Sequence, residues 1–130
     1  MTDQVGDADR LSLRTMMFPR DLNPAGNIFG GTIMSLMDEA AAIHSRDYPG
    51  RFVTRHVSEI DFPIPVNSGD EILGYTRTVQ EGQTSVSVQV LLMKRPRNHK
   101  DLVYVAKGTF VMVCVDDSGQ KRRWNRASER

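Results

Sequence analysis

One carboxylate stands in an otherwise apolar stretch of the chain. In NIFGGTIMSLMDEAA (residues 27–41), Asp38 follows a run of small and aliphatic residues, with Glu39 beside it. A charge in such surroundings costs free energy unless it is paired or used. Beside a reacting group, a carboxylate acts as a general base or a nucleophile. Asp38 is a candidate for that role or a solvent-facing acid, whereas for Glu39 we favour solvent or a pairing with Arg46.

Two glycines precede Asp38 at the predicted start of a helix. The first N–H groups of a helix lack intrahelical acceptors and carry a partial positive charge. Gly30 and Gly31 have no side chain, so a substrate oxygen can approach these donors closely. The pattern therefore predicts an oxyanion hole. Asp38 follows about two turns later, roughly 10 Å along the helix axis.

The loop before the glycines supplies a polar side chain. In RDLNPAGN (residues 20–27), Asn23 offers two donors and an acceptor, which suits the orientation of a water or a carbonyl. An asparagine before Pro24 is also a typical turn residue. Its occurrence with two glycines and Asp38 within sixteen residues favours the functional interpretation.

Other chemical motifs are missing from the sequence. The three histidines are too scattered for a metal-ligand pattern, and neither phosphate-binding glycine loops nor a G-x-S-x-G elbow occurs. We therefore expect no metal and no cofactor. The single cysteine, Cys114, excludes an internal disulfide and suits a reducing compartment. It lies in FVMVCV, where a small buried strand residue is the favoured interpretation.

One helix and several strands must position these residues. Residues 31–45 contain good helix formers, and their apolar positions encircle most of the helix, so we expect the helix to be enclosed. Alternating patterns predict strands over about 11–18, 52–66, 72–79, 84–93 and 102–115. On the last strand, one face is predicted to carry Val103, Val105, Val111, Val113 and Val115. These elements indicate an α+β fold, with one long central helix wrapped by a curved antiparallel sheet of about five strands.

The length and the net charge of the chain limit the number of domains and the kinds of partner that we expect. The 130 residues predict a single domain over 1–130, with a flexible N-terminus at 1–9 and a basic tail at 118–130. A net charge of +1 predicts no nucleic-acid or membrane partner. The polar start is unlike a signal peptide, so we expect a cytoplasmic protein. Trp124 in the tail is predicted to dock on its own or a partner subunit, with stacking on an adenine ring as the alternative.

The stretch DLNPAGNIFGGTIMSLMDEAAAI (residues 21–43) resembles the signature of hotdog-fold acyl-CoA thioesterases. In that family, an Asn-x-x-Gly loop leads into an F-G-G helix that carries an aspartate. The segments VTRHVSEIDFPIPVNSGDEI, EGQTSVSVQV and YVAKGTFVMVCVDDSG agree in order and spacing, so the resemblance covers roughly residues 10–120. It implies the hotdog fold and hydrolysis of acyl-CoA to a free carboxylic acid and CoA.

The resemblance also implies roles for the catalytic candidates. Asp38 would be the catalytic carboxylate, either as general base on water or by direct attack to form a mixed anhydride. Asn23 would be its partner, and the backbone N–H groups of Gly30 and Gly31 would hold the thioester oxygen. The family builds each site at a dimer interface, with the asparagine and the aspartate from different subunits. Its dimers commonly assemble into hexamers.

A later motif bears on CoA binding by the same resemblance. The family's G-x-T-S is matched by Gly82, Thr84 and Ser85, which would contact the pantetheine arm. The alternative for these residues is a plain hairpin turn.

Two rival functions use the same fold. The first is a hotdog enoyl-CoA hydratase, because DLNP (residues 21–24) is similar to the hydratase pattern D-x-N-P-x-H. Position 26 is glycine here, so the histidine base is missing. The second is a non-catalytic acyl-CoA sensor. Asp38 together with Asn23 favours turnover, because a pure binder gains little from an acid beside an acyl chain.

Overall fold

A five-stranded antiparallel sheet curls around one long α-helix. The computed structural model describes residues 4–124, in which the elements are β1 (Arg10–Met16), α1 (Gly30–Ser45), β2 (Arg51–Val57), β3 (Glu71–Glu81), β4 (Ser85–Arg95) and β5 (Val103–Val115). A 3-10 turn at Pro19–Asp21 precedes the helix. The strand order is β1-β3-β4-β5-β2, so β1 and β2 form the two edges. The predicted α+β fold is confirmed.

Helix α1 packs on the concave face of the sheet through one side only. That side buries Ile33, Leu36, Met37, Ala40, Ala41, His44 and Ser45. The backbones approach closely where Ala40 meets β3, because a Cβ added to Gly74 would lie 3.2 Å from the Ala40 Cβ. The opposite side leaves Met34 and Ile43 each 39% exposed. The prediction of an enclosed helix is therefore wrong for a single chain, since the sheet covers only one of its two apolar sides.

The last strand differs from its predicted pattern. Between Leu92 and Met93 of β4, the partner on β5 changes from Ala106 to Tyr104, which leaves Val105 as the extra residue of a β-bulge. A bulge shifts the alternation of the side chains. The core therefore contains Val105 and then Ala106, Phe110 and Met112. The prediction that Val111 shares the face of Val105 is wrong for this reason. Cys114 is fully buried, as predicted.

The predicted second strand is shorter than its sequence pattern. Strand β2 ends at Val57, and residues 58–66 leave the sheet and pass the N-terminus of α1. Pro63 and Pro65 have no N–H to donate, so the end of this segment cannot pair as the interior of a strand would. The segment rejoins the fold where Ile28 N donates to the carbonyl of Val66 at 2.8 Å.

The start of the predicted tail folds back onto the sheet. After a turn at residues 116–119, Arg122 N donates to the carbonyl of Cys114 at 3.0 Å. The indole N–H of Trp124 donates to the carbonyl of Gly82 at 2.6 Å, and its ring meets the Tyr48 ring edge-on with centroids 5.1 Å apart. Trp124 thus docks on its own subunit. The remainder of the tail, 125–130, and residues 1–3 lie outside the described part of the chain.

Candidate active site

Asp38 lies on the exposed side of α1, opposite the buried face. Its Oδ1 accepts a hydrogen bond from the hydroxyl of Thr54 on β2 at 2.5 Å. Both residues line a depression of about 220 Å³ together with Met34, Ser35, Val57 and Phe110. The carboxylate therefore has one fixed donor and open space beside it. Thr54 was not predicted as a site residue, and no sequence signal marks it, because only the packing of α1 on the sheet brings the two side chains together.

The N-terminus of α1 presents two unpaired donors. Phe29 occupies the N-cap position and offers no side-chain acceptor, while its carbonyl accepts from Thr32 N at 3.1 Å and Ile33 N at 3.2 Å. Within residues 4–124, nothing accepts a hydrogen bond from the N–H of Gly30 or Gly31. A Cβ added to Gly31 would meet no atom within 4 Å. The two donors are thus unpaired within the described chain, and Gly31 leaves room beside its backbone, as an oxyanion hole requires.

Asn23 lies in the loop directly before these donors. Its Oδ1 accepts from Ala25 N at 2.9 Å and Asn27 N at 3.1 Å, so the side chain does hold a turn. Gly26 in this turn has φ +91°, a conformation that favours glycine. The oxygen of Asn23 is occupied, and the side-chain NH2 has no acceptor among the residues that the structure describes. The turn and a second role through the NH2 are therefore compatible.

The structure gathers these candidates at two places rather than one. Asn23, Gly30 and Gly31 lie at the N-terminal end of α1. Asn27, whose N–H donates to the Asn23 side chain, lines a cavity that Gly30 also lines. Asp38 and Thr54 form the second group. Eight residues separate Gly30 from Asp38, which is about 12 Å along the helix. A single carbonyl group cannot contact both groups of one chain.

Gly82, Thr84 and Ser85 form the hairpin turn between β3 and β4. Gly82 N donates to the carbonyl of Ser85 at 2.8 Å, and the carbonyl of Thr84 accepts from Cys114 N at 2.8 Å. A Cβ on Gly82 would lie 2.7 Å from the Ser85 Oγ, so a larger residue there would require this hydroxyl to rotate. With Trp124 bonded to the Gly82 carbonyl, the turn is fixed on both sides. Contact with pantetheine stays a prediction for these three residues.

A chain of polar side chains crosses the interface between α1 and β3. Tyr48 donates to Glu81 at 2.6 Å and lies 2.8 Å from the hydroxyl of Thr78, which is 2.8 Å from His44 Nε2. His44 Nδ1 lies 2.8 Å from the hydroxyl of Thr76. Because Glu81 only accepts when ionised, Tyr48 donates to it and accepts from Thr78. Thr78 then accepts from His44 Nε2–H, and Nδ1 accepts from Thr76.

The ionisation of His44 follows from this placement. Burial lowers the pKa of His44 below its usual 6.5, and the nearby Arg10 lowers it further, while Asp47 opposes the shift. Burial and the hydrogen bond to Glu81 raise the pKa of Tyr48. Both shifts favour the neutral forms on which the hydrogen-bond chain depends. In residues 4–124, no three histidine, cysteine or acidic side chains group as a metal site would need.

Comparison with known proteins identifies the class. The family model of the thioesterase superfamily matches residues 25–98, and the chain belongs to that superfamily. It is 39% identical over 116 residues to the acyl-CoA thioester hydrolase YciA of Escherichia coli, covering 86% of this chain and 88% of YciA. Among the described residues, no helix combines the length and the apolar character that crossing a membrane requires.

Solved structures agree with this assignment. Cj0915, a hexameric hotdog fold thioesterase of Campylobacter jejuni, superposes with a TM-score of 0.84 at 32% identity, covering 95% of this chain and 97% of Cj0915. The fold is therefore the hotdog fold. The acyl-CoA hydrolase of Staphylococcus aureus superposes with TM-scores of 0.75 and 0.76 at 27% and 29% identity. These two comparisons cover 85% of this chain and 69% or 67% of the hydrolase. Solved alanine variants of this hydrolase include one that replaces an asparagine at position 28 and one that replaces an aspartate at position 43.

Proposed function

We propose that the protein is an acyl-CoA thioesterase that hydrolyses acyl-CoA to the free carboxylic acid and CoA, with Asp38 as catalytic carboxylate. The observation that carries the proposal is the exposed carboxylate of Asp38, oriented by the Thr54 hydroxyl beside an open depression. Asn23 precedes Asp38 by fifteen residues, the separation of the two residues replaced in the Staphylococcus aureus hydrolase. The function of YciA in Escherichia coli supports the same reaction.

We further propose that each active site is shared by two subunits. An oxyanion hole must lie about 3 Å from the substrate oxygen, and a general base must lie as close to the attacking water. The roughly 12 Å between Gly30 and Asp38 in one helix is too long for this. A second copy that places its Asp38 opposite the first copy's helix N-terminus meets both requirements. The exposed apolar side chains Met34 and Ile43 suit such a contact, and the hexameric state of Cj0915 supports a trimer of dimers.

The reaction follows from the two half-sites. The thioester oxygen accepts hydrogen bonds from the N–H groups of Gly30 and Gly31 of one subunit. Asp38 of the other subunit removes a proton from water, whose oxygen attacks the carbonyl carbon, and the negative charge collects on the bound oxygen. Collapse of this intermediate breaks the carbon–sulfur bond, and the CoA sulfur leaves with a proton. The Asn23 NH2 is free to orient the water or the carbonyl.

Direct attack is the alternative route. Asp38 would then displace the CoA sulfur to form a mixed anhydride, which water hydrolyses. A single turnover in ¹⁸O-water tests for the anhydride. Label that enters the carboxylate of Asp38 indicates an anhydride that water opens at the aspartyl carbonyl. Label confined to the released acid fits the general-base route or an anhydride that water opens at the acyl carbonyl.

Release of free CoA thiol from a series of acyl-CoAs tests the proposal. We expect hydrolysis by the wild type and a loss of at least about 100-fold in kcat for Asp38→Asn, which keeps the shape of the side chain. Glu39→Gln is the matched control, because it neutralises the neighbouring exposed acid. Binding of acyl-CoA without any release of CoA would instead indicate an acyl-CoA sensor.

Three further expectations from the sequence belong to this proposal. Contact between the pantetheine arm and Gly82, Thr84 and Ser85 is part of it, as are the absence of a cofactor and a cytoplasmic location. A hydratase gains no support, since Gly26 occupies the place of the base and His44 is bonded into the interface between α1 and β3.

A further inference from the structure

A mostly apolar cavity lies beside the N-terminus of α1, apart from the depression that Asp38 lines. Its volume is about 230 Å³, and its apolar side chains are those of Ile28, Ile33, Phe62, Ile64, Val66 and Val105. Gly30 and Asn27 also line it, and none of its lining residues carries a charge. We refer to this space as the N-terminal cavity.

We propose that the N-terminal cavity holds the acyl chain of the substrate and that Phe62, as part of its wall, restricts the space available to that chain. The inference rests on the proposed function, because it starts from a thioester oxygen held by the N–H groups of Gly30 and Gly31. Gly30 carries one of these donors and also lines the cavity. An acyl chain bonded to a carbonyl at that position begins at the edge of the cavity, and burial of its apolar surface there lowers the free energy of binding.

The size and lining of the cavity define the substrate class. A group the size of a water molecule or a methylene occupies roughly 30 Å³. A cavity of 230 Å³ therefore holds a chain of about eight carbons. A carboxylate or ammonium at the end of the chain would be buried without a partner, at a large free-energy cost. The cavity therefore fits uncharged, apolar acyl groups of short to medium length.

One wall of the cavity is the irregular segment 58–66, which is anchored at both ends. At its start, Ser58 N donates to the carbonyl of Thr109 at 3.0 Å, and at its end Lys94 Nζ donates to the carbonyl of Pro65 at 2.6 Å. Residues 59–64 make no backbone hydrogen bond within the described chain. The side chain of Phe62 is 42% exposed and comes within 3.8 Å of a Cβ built on Gly30. Phe62 can therefore be changed without loss of a sheet hydrogen bond.

The test is the dependence of kcat/KM on acyl length, from two to sixteen carbons. For the wild type, we expect about a fourfold rise per methylene until the chain reaches about eight carbons, and no rise beyond. Phe62→Ala should move the optimum to longer chains, and Ile64→Phe should move it to shorter ones. Phe18→Ala is the matched control, because Phe18 is 41% exposed and stacks under Arg20 rather than lining the cavity.

Binding of non-hydrolysable thioether analogues, measured by calorimetry, separates this inference from the proposed function. Hydrolysis with identical length profiles in wild type, Phe62→Ala and Ile64→Phe would overturn the assignment of the cavity and leave the thioesterase proposal standing. If no acyl-CoA is hydrolysed, the thioesterase proposal fails. Analogue affinity that rises with chain length and responds to Phe62→Ala would then still support the cavity, and affinity independent of length would refute it.

Discussion

Mixing two inactive variants tests whether the active site is shared between subunits. The variants are Asn23→Ala and Asp38→Ala, each of which removes one half of every proposed site. In a mixed dimer, one site has lost both side chains, whereas the other keeps Asn23 from one subunit and Asp38 from its partner. A mixed dimer should therefore have about half the wild-type activity, and a random equimolar mixture about a quarter, by the two-fold symmetry of such a dimer.

The assay is CoA release by assemblies that contain mixed dimers, isolated through two different affinity tags after co-expression. Because a trimer of dimers that carries both tags also contains unmixed dimers, these assemblies should recover about a quarter of the wild-type activity. Each variant alone should show at most about 1% of wild-type kcat, so this recovery is well resolved. The control co-expresses two differently tagged copies of the Asn23→Ala chain, which should stay inactive. If tandem-purified mixed dimers are no more active than the single variants, the two groups act within one chain and the argument from the 12 Å separation along α1 is wrong.

Four further substitutions test individual contacts. Gly31→Ala should leave the fold intact or stabilise it by up to about 1 kcal/mol in urea unfolding, because its methyl meets open space in a single chain, yet it should abolish thiol release if a substrate oxygen must approach there. Thr54→Val should lower kcat by about 10- to 100-fold through loss of the hydrogen bond to Asp38, and Thr54→Ser should restore it. For His44, the lowered pKa means that stability is complete above pH 6.5 and falls as the pH drops below that value. Between pH 7 and 5, the free energy of unfolding of His44→Gln should therefore fall less steeply than that of the wild type. The two slopes should differ by at most about 1.4 kcal/mol per pH unit. Trp124→Phe, which deletes only the indole N–H, should lower the free energy of unfolding by about 1 kcal/mol in urea.

For each of these four predictions, one outcome would contradict the reasoning behind it. Full activity in Gly31→Ala would mean that neither substrate nor partner occupies the space at the helix N-terminus. An unchanged kcat in Thr54→Val would show that Asp38 needs no fixed donor. Parallel pH curves for wild type and His44→Gln would place the acid sensitivity in other groups. Unchanged stability in Trp124→Phe would show that water replaces the indole N–H at no cost.

The sequence by itself determined the elements and the chemical candidates. Hydrophobic periodicity predicted one helix and five strands, because alternation and helical spacing are local properties of the chain. The combination of Asn23, two glycines and Asp38 marked the catalytic candidates within sixteen consecutive residues. All of these signals lie close together along the chain, where spacing alone carries the information.

The tertiary structure decided which of these residues meet. Thr54 reaches Asp38 only because α1 packs against the edge strand β2, and the N-terminal cavity exists only because residues 58–66 leave the sheet after Val57. The bulge at Val105 put Val105 and Val111 on different faces of β5, since strand register is set by pairing with β4 and not by the strand's own pattern. Contacts between residues distant in sequence depend on packing and register, which periodicity along one segment does not encode.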